Sequence, residues 1–219
     1  MNSLSKKTKE ILYNFLNGNY SLKDIESLLF ESKEIESNFD YNDYIDLLSI
    51  NFNTNTNKYE AITLIEKNIN MKEYETWRIN TIFNNIIEKG ENYSDSIELL
   101  YDLYCKGYYF LEKLGLKYGL VLSYPKEYNF NKNIAELSKK EQKNLSDKLY
   151  PEIITEVEFI KNLITSNKIT LTGKLNENNY YMYIDNMNEE ERERVKFYEN
   201  KKKKENRFWN FLRKLIKID

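Results

Sequence analysis

LLYDLYCKGYYFLEKLGLKYGL, residues 99–120, decides how the helices of this chain are counted. Leu100, Leu103, Gly107, Phe110, Leu114 and Tyr118 recur at intervals of 3, 4, 3, 4 and 4, which makes one apolar stripe on a helix. Gly107 falls on that stripe. A helix-ending glycine would stand off it and be followed by a change of phase. The unbroken phase predicts one helix over about residues 95–114, with Gly107 letting a neighbouring helix come close. Such a glycine costs about 1 kcal/mol of helix propensity relative to Ala. Gly115 is then the expected stop. Lys106-Gly107 is also an acceptable C-cap, so the competing reading ends the helix there.

Upstream, residues 5–17 read as a helix with Ile11, Leu12, Phe15 and Leu16 inward and Gly18 at its end. Ser21 caps a second helix, with Asp24 in its first turn and Ile25, Leu28 and Leu29 buried. Asp40 caps a third that runs to about Leu48. NFNTNTN, residues 51–57, is a polar loop. A fourth helix over 58–69 is carried by Tyr59, Ile62, Leu64, Ile65 and Ile69. A fifth runs from Met71 to Lys89, with Asn70 as cap, Tyr74, Trp77, Ile82 and Ile86 as seam and Gly90 as stop.

Downstream, Leu120 to Lys132 contains Pro125 and reads as a loop or a short extended piece. Ser138 and Glu141 make a capping box. Pro151 opens a separate helix over 151–166, with Ile153, Ile154, Val157, Ile160 and Ile164 inward. KITLTGKL and NNYYMYID then alternate with period two and predict a hairpin of strands 168–175 and 179–185. Asn188 opens a last helix expected to run to the C-terminus. The fold class is mainly α: a multi-helix bundle with a small C-terminal β-hairpin and a terminal amphipathic helix. Residues 1–166 form the helical body, and 167–219 the hairpin and basic helix packed on it.

Composition limits the chemistry. The 219 residues contain 2 prolines and 6 glycines, which favours long helices. No apolar run nears the roughly 20 residues that span a bilayer, and the N-terminus lacks a signal-peptide core, so a cytoplasmic location is expected. The net charge of −2 asks for no nucleic-acid partner. Histidine is absent, which removes Ser-His-Asp and Cys-His catalysis and imidazole metal sites. Cys105 is the single cysteine, so no internal disulfide or structural zinc site can form; with no activating partner but Lys106 it reads as inert. Neither catalytic residues nor a cofactor is expected, and the chain reads as a non-enzyme.

Two regions stand out as contact surfaces. NFDYNDYIDLL, residues 38–48, sets Asp40, Asp43 and Asp46 at helical spacing beside Tyr41 and Tyr44. A calcium loop starting at Asp40 would need Gly and Glu where Ile45 and Asn51 stand, so an EF-hand is rejected. The five residues read instead as an exposed acidic, aromatic partner surface, weighed against an ordinary solvated helix face. Glu73 and Glu75, beside Trp77 and Arg78, are two apart and point to different faces, which suits capping and an i,i+3 ion pair better than acid–base work. Glu98 and Asp102 have bridging spacing but lack the histidines of a dimetal bundle.

The second region is residues 201–219, where eight basic side chains stand against two acids, a net of +6. Lys201, Lys202, Lys203, Lys204 and Arg213, with Trp209 on an apolar face, suit contact with an anionic membrane or an acidic partner. A terminal helix docked on the body is the alternative.

YEAITLIEKNI, YETWRINTIFNNIIEKG and the opening stretch, about residues 58–120, resemble small helical immunity proteins of bacterial polymorphic or contact-dependent toxin systems. The likeness covers less than half of the chain and carries no shared catalytic motif. It implies a cytosolic, non-catalytic inhibitor that covers the active site of a cognate toxin. The alternative is a peripheral membrane or scaffold protein acting through residues 201–218.

Overall fold

The computed structural model describes residues 4–129 and 131–197. The chain is mainly helical, with a small two-stranded antiparallel hairpin in its C-terminal region. It divides into two compact units: positions 4–79 with 172–174, and positions 80–171 with 175–197. The sequence-based boundary after residue 166 falls inside the second unit.

The first unit begins with α1 (Lys6–Leu16), whose Ser5 side chain accepts from the Thr8 N–H. Gly18, at φ +83°, turns the chain into α2 (Leu22–Glu31), which opens on Ser21 as expected, with Asp24 completing a capping box. Ser32 is extended and caps α3 (Lys33–Asn38), a helix the sequence reading did not anticipate. Six residues with only Ile35 buried are too few to show a period. Asp40 caps α4 (Tyr41–Ser49), accepting from the N–H groups of Asn42 and Asp43. Then come α5 (Lys58–Asn68) and α6 (Met71–Ile87), the latter capped by the Asn70 side chain.

Leu12, Phe15, Ile25, Ile35, Leu47, Ala61 and Ile65 are fully enclosed at the centre of this unit. Two expectations fail here. Tyr59 is 79% exposed and supports no seam. Phe52, inside the polar loop, is buried. At the far end of α6 the left-handed stop is Lys89, with φ +49°, and not Gly90.

The second unit resolves the opening stretch, and against the expectation of one continuous helix. Helix α7 (Tyr93–Cys105) ends before Gly107. Gly107 N–H donates to Tyr104 O and Tyr108 N–H to Leu103 O, the paired bonds of a Schellman stop. Its φ is +112°, open to glycine and strained for any L side chain. The stripe continues in phase because the chain resumes a helix one turn later: α8 (Glu112–Leu114), a π-helical turn (Gly115–Gly119) and α9 (Leu120–Ser123). Gly115 therefore is not a stop.

Close approach is nevertheless correct, at other residues and with other partners. A Cβ on Gly107 would lie 2.9 Å from Tyr180 Cβ and from Tyr181 O, on the hairpin and not on a helix. The helix crossing lies at Gly115 and Gly119. A Cβ there would meet Leu100 O at 3.0 Å and Tyr104 Cβ at 2.9 Å, or Tyr101 N at 2.8 Å and Ile97 O at 2.9 Å, all on α7.

Helix α10 (Lys139–Asp147) carries the Ser138–Glu141 capping box, and α11 (Glu152–Thr165) follows Pro151. Strands β1 (Ile169–Leu175) and β2 (Tyr181–Asp185) pair Ile169 with Asp185 and Leu171 with Tyr183, with a bulge before Leu175. Tyr181 N–H donates to Lys106 O at 2.8 Å, and the Tyr181 ring stacks on Tyr108. The hairpin is thus pinned to the residues that end α7. Helix α12 (Glu189–Val195) opens on Asn188 as expected but stops at Lys196, which is extended; one helix from 188 to the C-terminus is ruled out.

Candidate protein-binding surface

The five residues singled out in 40–46 do not share one role. Asp40 is exposed but spends its carboxylate on the α4 cap. Asp43 is half-buried, accepts from Asn68 Nδ2 at 2.8 Å and pairs with Lys67 at 3.5 Å. Tyr44 packs its ring against the core of the first unit. The expectation that all five side chains are exposed is corrected for these last two, which help tie α4 to α5 and to the core. Tyr41, 73% exposed, and Asp46 are left projecting into solvent.

Burial reveals further members that the sequence reading passed over. Phe30 is 78% exposed and Ile45 40%. In α2 the inward positions are Ile25, Leu28 and Leu29; Phe30, one step of about 100° beyond Leu29, points away from the core. A phenylalanine that breaks phase was the available signal.

Around these apolar groups the charge is one-sided. Over residues 22–49, the span of α2 to α4, the chain holds eight carboxylates and two basic residues, Lys23 and Lys33. Several are occupied locally. Asp24 is in the α2 capping box, and the Ser21 hydroxyl and N–H hold its carboxyl below the usual range. Glu34 is lowered likewise by the Thr8 hydroxyl and the Ser5 N–H. Glu26, Glu31, Glu36 and Asp46 make no ion pair or hydrogen bond with another side chain among the described residues. Helices α2, α3 and α4 therefore carry a net negative charge, and α2 and α4 also carry the exposed rings of Phe30 and Tyr41.

The other carboxylates of interest go to separate partners. Glu73 accepts from Lys9 at 2.6 Å and from the Tyr13 hydroxyl, whose pKa burial and the Glu73 charge push up to about 12. Glu75 is buried and pairs with Arg78 at 2.8 Å, the i,i+3 pair expected. Desolvation raises the Glu98 carboxyl, opposed by the Ser123 hydroxyl. Among the described residues no three side chains gather as a cation site. Desolvation likewise pushes the Cys105 thiol up, which disfavours the reactive thiolate.

Lys201, Lys202, Lys203, Lys204, Trp209 and Arg213 lie outside the described residues. Within the described ones no helix is long and apolar enough to cross a membrane. No protein-family model, curated protein or solved structure matches the chain.

Proposed function

We propose that this chain is a non-catalytic protein-binding protein of the bacterial cytoplasm, which captures and neutralises a basic toxin through the α2–α4 surface. The observation that carries this reading is the exposure of Phe30 and Tyr41, 78% and 73%, on helices where eight carboxylates stand against two basic residues. Rings left in water give a rigid anchor with little side-chain entropy to lose on binding. The surplus of carboxylates on the same helices attracts a positive partner and raises its rate of encounter. The chain has no histidine, and no residues gather as a metal site among those described; both are compatible with a binder. The likeness of residues 58–120 to immunity proteins points the same way.

Co-expression tests it. The product of the adjacent reading frame is induced with and without this chain. Wild type restores growth; a Phe30→Ala, Tyr41→Ala double variant, folded by circular dichroism, does not. If the adjacent product is harmless alone, the inhibitor reading fails, and contact through residues 201–218 becomes the reading to pursue by liposome binding.

A further inference from the structure

The second unit holds a cavity of about 220 Å³ between the end of α9 and the end of α10. Val121, Leu122, Pro125, Leu145 and Leu149 line it. Leu122, Pro125 and Leu145 are buried, so its floor belongs to the packed interior and is not a chance groove between surface side chains. Three charged groups complete the lining: Lys126, Glu127 and Lys148. Glu127 and Lys148 answer each other at 2.8 Å. Lys126 is exposed and makes no ion pair among the described residues. The wall is thus aliphatic, and its surplus charge is a single cation.

Water is poorly suited to such a space. A water molecule needs two to four polar partners, and beyond the paired Glu127 and Lys148 and the Lys126 ammonium the side chains of this lining offer none. The volume exceeds the roughly 150 Å³ at which a purely apolar cavity takes up benzene. An apolar body with one anionic end meets both requirements: the tail displaces poorly held water and the head faces Lys126. A cationic head would meet the surplus charge with repulsion. Mostly apolar walls with a few placed polar groups are the usual make-up of a small-ligand site.

We propose that this cavity is a binding site for a small amphiphilic carboxylate, with its aliphatic or aromatic tail among Val121, Leu122, Leu145 and Leu149 and its carboxylate on Lys126. The site is independent of the toxin-binding reading, since it uses no residue of α2–α4.

Octanoate, octan-1-ol and octylamine are the probes, titrated into the full-length ¹⁵N-labelled protein. Saturable amide shifts are expected at 121–127 and 145–149. Octanoate should bind about fivefold tighter than octanol, the advantage of one partly exposed ion pair, and octylamine more weakly than either. Lys126→Glu should remove the octanoate advantage and leave octanol binding unchanged. Val121→Phe should fill the cavity and abolish binding of all three; Leu149→Phe serves the same purpose where Val121→Phe fails to fold by circular dichroism. Absence of saturable shifts, equal affinity for octanoate and octylamine, or undiminished binding to a folded cavity-filled variant would each overturn the proposal.

Discussion

Gly119→Ala sets two effects of known sign against each other. Gly119 has helical backbone angles, φ −59° and ψ −56°, so alanine meets no conformational objection. On propensity alone the substitution stabilises by about 1 kcal/mol. The new Cβ, however, would stand 2.8 Å from Tyr101 N and 2.9 Å from Ile97 O. Both are main-chain atoms of α7 and cannot rotate away, so the helices must part. Overpacking costs about 1–3 kcal/mol, and rigid neighbours put this case near the top of that range. The net expectation is a loss of about 2 kcal/mol. With a urea slope of about 1–3 kcal/mol/M, the midpoint falls by about 1 M. Equilibrium urea unfolding, followed by circular dichroism and by tryptophan fluorescence, reads it. A midpoint that rises would refute the crossing, because propensity would then be the only effect present.

Gly107→Ala joins a φ of +112° to contacts at 2.9 Å with Tyr180 and Tyr181, and should cost at least about 2 kcal/mol; an unchanged melting temperature would contradict the pinning of the hairpin. Gly107→Asn should rescue little, since asparagine tolerates the left-handed helix region near +57° and not this angle. Arg78→Ala removes the guanidinium 2.8 Å from buried Glu75 and should cost about 3–5 kcal/mol in urea unfolding; a loss under about 1 kcal/mol would show that the pair is replaceable. The Ser138 hydroxyl and N–H, with the Tyr128 hydroxyl, hold the Glu141 carboxyl at about 2. A carboxyl lowered on folding adds stability above its unfolded value, and that stability drains away as pH falls toward the folded value. Wild type should therefore lose urea midpoint between pH 5 and pH 2 more steeply than Glu141→Gln, and equal slopes would count against this cap.

Caps and periods were legible wherever the signal is local. Ser21, Asp40, Asn70, Ser138 and Asn188 each open a helix as their side chains require, and the alternation of 168–185 is a hairpin. What escaped was set by tertiary geometry. The phase of the 99–120 stripe survives a complete helix stop, because the Schellman turn and the next helix happen to return in register. Periodicity alone therefore could not distinguish one helix from two. The spacing of Gly115 and Gly119, four apart, is the sequence trace of the true crossing. In the candidate surface, Asp40, Asp43 and Asp46 look alike in sequence. Only their partners separate a cap, a buried tie and a free charge. Lys196 is extended where charge and amphipathicity suggested more helix, and nothing in the pattern of α12 announces that break.

Benzoylphenylalanine can be placed at Tyr41 and, in a second variant, at Tyr109, which is 56% exposed in the other unit. Each variant is irradiated in cells that also make the toxin, after growth has confirmed neutralisation. Capture through α2–α4 predicts a covalent toxin adduct from position 41. Neutralisation with an adduct from 109 alone would contradict it.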